Sequence, residues 1–178
     1  MFQTPSFANC VVMLIALTCA TIVDVRSRRI PNMITFPATT AGVILGLVQS
    51  GPGGLVVALA GAFLAPFTLL LLRGFRPLGM GDVKLAAAVG ALTGPAVGAA
   101  SMLVSTVTGG ALALLWLLRP GASGASWLEP MFIGVPVLGR IYRSGPDRGA
   151  ASGRDTLPYG LAISIGSLLT VGFLWWTP

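Results

Sequence analysis

The sequence predicts an all-α membrane protein: a polytopic bundle of about six transmembrane helices with both termini outside. Of its 178 residues, 54% are hydrophobic and 9% are charged, whereas soluble domains carry roughly 25% charged residues. The charged side chains are confined to three tracts, 24–29, 73–84 and 119–155, which are separated by uncharged stretches. Each uncharged stretch has room for at least one membrane span of about 20 apolar residues.

The number of spans follows from the uncharged stretches and from the sidedness of basic loops. The first and last stretches each hold one span, and 30–72 holds two, separated by the turn-forming run 49–54. The stretch 85–118 holds either one long span or two, if the chain turns near Gly94 or Gly98. Lys and Arg collect in cytoplasmic loops, and only two spans here put all three charged tracts on one side. The predicted spans are 6–23, 33–49, 54–72, 83–97, 99–118 and 157–176.

The charged tracts also define the domain organisation. The net charge of +6 does not indicate a nucleic-acid partner, because the basic residues lie in short tracts between apolar runs, as in cytoplasmic loops beside a lipid bilayer. We predict a single membrane-embedded domain over 1–178, with 119–156 as a cytoplasmic loop. Within that loop, the apolar run 127–138 is too short to span. It fits either a segment in the membrane interface or an ordinary hydrophobic loop contact.

Glycines at four-residue spacing recur within the predicted spans. Small residues at this spacing let two helix backbones approach closely in lipid. Packing within one bundle is the favoured interpretation, and a homodimer is the alternative. The residues are Gly42 with Gly46, and Gly90, Gly94 and Gly98.

Two of the five acidic residues lie at the ends of predicted spans. Asp24 follows the first span and Asp82 lies at the start of the fourth, so the predicted topology puts both at the cytoplasmic face. A carboxylate at a membrane span is costly and usually faces a partner or a water-filled cavity, which makes it a functional candidate. The plainer interpretations are a boundary charge beside Arg26 for Asp24, and an acid favoured by the helix dipole for Asp82.

The residue types present favour chemistry by two carboxylates. The chain has no histidine, which excludes Ser-His and Cys-His catalysis and histidine-ligated metals. Its two cysteines, Cys10 and Cys19, form no zinc-binding pattern, so no metal or cofactor is expected. Two carboxylates that share one proton can hydrolyse a peptide bond. Because such a pair titrates as a unit, the sequence does not say which aspartate is the base.

Two glycines, Gly79 and Gly81, bracket the approach to Asp82. Glycine can adopt positive φ and leaves room beside the backbone. We therefore expect these two residues to give an extended peptide access to the acid.

Three motifs resemble those of the type IV prepilin peptidases. DVRSRRIPN, from Asp24 to Asn32, resembles their D-x5-IPN segment; GMGDVK, from Gly79 to Lys84, resembles their GxGDxK motif; and LPYG, ending at Gly160, resembles their closing PYG segment. The resemblance implies a GxGD-type intramembrane aspartic protease of the bacterial cytoplasmic membrane, with Asp24 and Asp82 as the catalytic pair at the cytoplasmic face. Its substrates would be prepilins or pseudopilins, cut after a glycine that ends a short basic leader.

The other residues of these motifs are candidates for shaping the site or admitting the substrate. Pro31 and Asn32 are predicted to start the second span, with Asn32 as its cap. Lys84 either stabilises the site or places its ammonium group at the membrane surface. The full set of such candidates is Gly79, Gly81, Lys84, Pro31, Asn32, Pro158, Tyr159 and Gly160.

The chain departs from the larger family members in one respect. Those proteins carry a cytoplasmic domain between the first two spans, often with zinc-binding CxxC pairs, and also N-methylate the trimmed pilin. Here the connection is short and has no cysteine. The chain is thus similar to the minimal subclass found with tight-adherence (Flp-type) pilus systems, and methyltransferase activity is in doubt.

Three alternatives remain open from the residues alone. The first is a GxGD protease with an archaellin-type or signal-peptide-type substrate. The second is a small proton-coupled transporter that uses Asp24 or Asp82 as its proton site, although a transporter predicts acids near the bilayer midplane and these lie at span ends. The third is a non-catalytic assembly factor that retains the fold.

Overall fold

The computed structural model describes residues 5–27, 30–72, 79–117 and 159–176, and in these ranges all regular structure is helical. The predicted all-α class is confirmed. The predictions for the loop 119–156 and for Pro158 lie outside the described residues. The helices are α1 (Phe7–Ser27), α2 (Asn32–Leu72), α3 (Met80–Thr93), α4 (Pro95–Leu117) and α5 (Tyr159–Trp176).

By its internal contacts the chain divides into two units. The first, Met1–Thr108 with Pro158–Pro178, contains α1, α2, α3, α5 and the first part of α4. The second is Gly109–Leu157, and its described part is the remainder of α4. The first unit therefore holds both motif aspartates, Asp24 and Asp82, together with Gly160 of the third motif.

Helix α2 reverses direction near its middle. Ser50 and Gly51 have non-helical dihedral angles, and Gly51 has φ of 61°, which glycine adopts at no steric cost. Pro52 follows at the start of the second arm, where its fixed φ suits a new helix. A β-carbon placed on Gly46 would lie 2.8 Å from the Gly54 carbonyl oxygen, so the two arms run side by side. The reversal lies inside the predicted turn 49–54.

A second reversal separates α3 from α4. Gly94 has φ of 80°, and Pro95 is the first residue of α4, which repeats the Gly-Pro pattern of the first turn. A β-carbon on Gly98 would lie 2.9 Å from the Gly90 Cα, although eight residues of continuous helix span about 12 Å. The chain therefore turns back at Gly94. The predicted span 83–97 is wrong at its end, because α3 ends at Thr93.

Close helix crossings at glycine hold the first unit together. Gly61 of α2 and Gly90 of α3 contact each other so closely that a β-carbon on either would meet the carbonyl of the other. A β-carbon on Gly42 would lie 2.9 Å from the Ala91 carbonyl carbon. The regularly spaced glycines thus pack against other helices of the same chain, which was the favoured interpretation.

The outer surfaces of the helices are apolar. Among the described residues, Phe7–Asp24, Asn32–Leu72 and Pro95–Leu112 are long and apolar enough to cross a membrane. Large side chains such as Phe63 (77% exposed) and Trp176 (85% exposed) project outwards. Apolar side chains exposed over such a surface are favourable in contact with lipid and unfavourable in contact with water. The side on which the termini lie stays a prediction.

Candidate active site

Asp24 is held in the last turn of α1 by the start of α5. Its side chain is 6% exposed, and its Oδ2 accepts a hydrogen bond of 3.0 Å from the Gly160 backbone amide. Gly160 is the second residue of α5, and the first four amides of a helix have no partner within it. The positive end of the α5 dipole therefore faces the Asp24 carboxyl group.

The absence of a side chain at Gly160 permits this contact. A β-carbon placed there would lie 2.7 Å from Asp24 Oδ2 and 3.3 Å from Ile30 Cδ1. The first distance is shorter than real β-carbons allow, so any larger residue would push α5 away from Asp24. The structure gives a physical reason for glycine at the end of the PYG-like segment.

Asp82 lies in the first turn of α3, and its side chain folds back over the start of that helix. Gly79 is the N-cap residue, and its carbonyl accepts a hydrogen bond of 3.0 Å from the Asp82 amide. A β-carbon on Gly79 would lie 3.2 Å from Asp82 Oδ2. Asp82 is half-buried, and an acid at this helix position is favoured by the dipole.

Gly81 packs against Ile30, the residue before the Pro31–Asn32 pair. A β-carbon on Gly81 would lie 2.9 Å from Ile30 Cβ and 3.4 Å from its backbone nitrogen. Neither Gly79 nor Gly81 uses positive φ: among the described glycines only Gly51 and Gly94 do so, and Gly79 has φ of −56°. The glycine at 81 instead permits close packing.

Three helix ends therefore meet around Ile30. Ile30 is 9% exposed and lies against Gly81, next to Asp82, and against Gly160, which binds Asp24. Helix α1 packs against α3 and α5, and α3 packs against α5. We call Ile30, Gly81 and Gly160 the Ile30 junction. It brings the last turn of α1 and the first turns of α3 and α5 to the same end of the first unit.

Lys84 joins the second motif to the first. Its Nζ donates a hydrogen bond of 2.8 Å to Asn32 Oδ1 and lies 5.4 Å from the centre of the Phe36 ring, within the range of a cation–π contact. Asn32 is itself the first residue of α2, so it lies inside the helix and not at the predicted capping position. The Lys84–Asn32 contact favours the interpretation in which Lys84 steadies the site.

Comparison with known proteins identifies the family. The family model for the type IV leader peptidase family matches residues 11–114, which is more than half of the chain and includes both aspartates. This chain belongs to the type IV leader peptidase family. It is 30% identical over 100 residues to a prepilin leader peptidase/N-methyltransferase of Dickeya chrysanthemi, a match covering 53% of this chain and 35% of that protein. No solved structure matches the chain.

Three residues of the candidate site in this leader peptidase family member were not predicted from the sequence. Ile30 lies within the DVRSRRIPN segment, and its one signal is an apolar side chain between a basic tract and a proline. Thr21 and Ser164 are joined by a 2.7 Å hydrogen bond between their hydroxyls, and Ser164 also donates to the Gly160 carbonyl at 2.8 Å. Nothing local in the sequence distinguishes these two hydroxyls from the others in apolar helices.

Of the predicted site residues, Tyr159 is only partly described and Pro158 lies outside the described structure. Tyr159 begins α5, but its side chain lies outside the described part of the structure, as does all of Pro158. Pro31 is half-buried beside Ile30, and its carbonyl accepts a hydrogen bond of 3.1 Å from the Ile34 amide in the first turn of α2. Within the described ranges no group of three metal-binding side chains occurs.

Proposed function

We propose that the chain is a prepilin leader peptidase that hydrolyses the bond after the leader glycine of type IV prepilins or pseudopilins. Asp24 and Asp82 are the proposed catalytic pair. The observation that carries the proposal is the Ile30 junction, where the helix ends that bear the two acids meet. Both acids lie within the segment that matches the leader peptidase family.

In the proposed reaction the two carboxyl groups share the proton transfers. One, ionised, takes a proton from a water molecule as the water oxygen bonds to the scissile carbonyl carbon. The other, protonated, gives its proton to the carbonyl oxygen, which forms a gem-diol. The gem-diol then collapses: the C–N bond breaks, the leaving amine takes the first proton, and the second returns to its carboxylate as the carbonyl re-forms.

The surroundings of the two acids support a pair made of one base and one proton donor. They do not show which aspartate is the base. Asp24 receives the Gly160 amide, and Asp82 lies at the start of α3, so each carboxylate faces the positive end of a helix dipole. That arrangement offsets part of the cost of bringing two acids together. A pair of this kind titrates as a unit.

The proposed location is the bacterial cytoplasmic membrane, with the Ile30 junction at the cytoplasmic face. The three charged tracts, which flank the acids, support this orientation. The N-methyltransferase activity in the name of the Dickeya relative is not proposed for this chain. The chain spans only about a third of that protein's length (35%).

The test is cleavage of a defined peptide by the full chain in nanodiscs. The probe is a synthetic peptide with a short basic leader ending in glycine, followed by an apolar segment, and the products are identified by mass spectrometry. A single cut directly after the glycine is the expected result. A matched peptide with the glycine replaced by valine should stay intact.

The same experiment separates the proposal from its rivals. Cutting elsewhere in the apolar segment would favour a GxGD protease with another substrate. The transporter interpretation predicts no cleavage, together with proton uptake into liposomes that carry the chain. An assembly factor that only retains the fold predicts neither cleavage nor uptake.

A further inference from the structure

A second polar contact joins α1 to α5, one helical turn inward from Asp24. The hydroxyls of Thr21 and Ser164 are 2.7 Å apart, and Ser164 is 6% exposed. Thr21 precedes Asp24 by three residues and Ser164 follows Gly160 by four, so each shares a helix face with its site residue. The two interhelical contacts are therefore stacked along one seam.

The bond between the Thr21 and Ser164 hydroxyls can run in either direction. A serine hydroxyl has one proton to donate, and its nearer carbonyl acceptor is Gly160 at 2.8 Å, with Leu17 at 3.4 Å. With that proton on the Gly160 carbonyl, Thr21 is the donor to Ser164. In that arrangement Gly160 is held at its carbonyl by the hydroxyl pair, while its amide donates to Asp24.

Other hydroxyls of the same two helices lack such an interhelical contact in the described structure. Thr18 of α1 donates to the Leu14 carbonyl at 2.7 Å, and Thr170 of α5 donates to the Gly166 carbonyl at 2.8 Å. A bond to the carbonyl four residues earlier is the ordinary way for a hydroxyl to be satisfied in an apolar helix. Ser164 makes that bond and is also hydrogen-bonded to Thr21 of α1, so a shift of α1 can move the start of α5.

We propose that Thr21 and Ser164 are positioning residues for the peptidase reaction, which hold the Gly160 amide against Asp24. This inference rests on the proposed function. Without the hydroxyl pair, the start of α5 is free to shift relative to α1, and the bond to Asp24 lengthens. A misplacement of about 1 Å at a catalytic group can lower the rate by roughly 100-fold.

The test combines amide exchange with kinetics on the full chain in nanodiscs. The variants are Thr21→Val, which keeps the shape but removes the hydroxyl, and Ser164→Ala. We expect each to raise the hydrogen-exchange rate of the Gly160 amide, measured by NMR, and to lower kcat for the basic-leader peptide with KM unchanged. Both changes should be about tenfold, as for the loss of one hydrogen bond. Thr21→Ser, which keeps a hydroxyl, should behave as the wild type.

Thr18→Val and Thr170→Val are the matched controls, since each removes a hydroxyl bonded within its own helix. They should leave Gly160 exchange and kcat unchanged. The proposal is overturned if Thr21→Val and Ser164→Ala exchange at Gly160 like the controls, or if exchange rises while kcat stays at the wild-type value. If the wild type cuts no leader peptide, the proposed function fails, and the exchange rates alone decide whether the pair holds the amide.

Discussion

The Gly160 amide donates a 3.0 Å hydrogen bond to Asp24 Oδ2 and so joins two residues that are 136 positions apart in sequence. This contact makes the start of α5 part of the site, and it explains why a short segment near the end of the chain accompanies the two acidic motifs. The same glycine packs against Ile30. The geometry of Asp24 therefore depends on α5 as much as on α1.

Replacing Gly160 by alanine should remove most of the peptidase activity. The new β-carbon would lie 2.7 Å from Asp24 Oδ2, so the amide must retreat from the carboxylate. We expect kcat to fall by about 100-fold, as for a misplaced catalytic group. Gly172→Ala in the same helix is the control, because a β-carbon there would meet nothing within 4 Å. Equal activity of the two variants would show that the Gly160 contact is dispensable.

Gly81→Ala should lower both the activity and the melting temperature, and Gly81→Val should lower them further. The reason is contact with Ile30, whose Cβ would lie 2.9 Å from the new atom; overpacking of this kind costs about 1–3 kcal/mol. Cleavage rates and thermal unfolding in detergent measure the two effects, with Gly53→Ala as the unhindered control. A Gly81→Val protein with wild-type melting and no cleavage would indicate that the glycine serves substrate access.

The sequence was sufficient for the parts of this structure that depend on local chemistry. The Gly-Pro pairs at 51–52 and 94–95 predict reversals because glycine allows positive φ and proline can start a helix. The motifs also predict that Asp24 and Asp82 lie at helix ends. Each of these predictions depends on a few neighbouring residues, so it can be made without knowing how the helices pack.

The contacts between helices could not be predicted in the same way. The partners of Lys84, Ser164 and Gly160 depend on how each helix is rotated, and helices that are apolar on every side carry little periodic signal. Gly79 and Gly81 likewise do not use the positive φ that glycine permits. The small size of Gly79 leaves room for the Asp82 side chain, and that of Gly81 leaves room for Ile30. The second contact becomes evident only when Ile30 is packed against the start of α3.

Lys84 and Asn32 should be energetically coupled. Their 2.8 Å hydrogen bond links α3 to the start of α2, and a bond of this type contributes about 1 kcal/mol to the free energy of unfolding. Lys84→Met, Asn32→Ala and the double variant form a double-mutant cycle in detergent. A cycle of Lys84→Met with Gln49→Ala, which removes a contact to Asn9, should be additive. Additivity in both cycles would contradict the link.

The proposed orientation predicts opposite labelling at two positions. A cysteine introduced at Gly53, in the turn of α2 and open to its surroundings, should react with a membrane-impermeant maleimide added to intact cells. A cysteine at Arg148, outside the described residues, should react only after the cells are lysed. Both variants need Cys10 and Cys19 replaced by serine to remove background. Labelling of Arg148→Cys in intact cells would reverse the proposed sidedness of that loop.

The most direct test of the account is the loss of either proposed catalytic acid. Asp24→Asn and Asp82→Asn should each reduce cleavage of the basic-leader peptide below detection, because residues that act as a unit fail together. Asp147→Asn, at an acid outside the three motifs, is the matched control and should cleave normally. All three proteins should reach the membrane in wild-type amounts. Cleavage after the leader glycine at the wild-type rate by Asp24→Asn or Asp82→Asn would contradict the account.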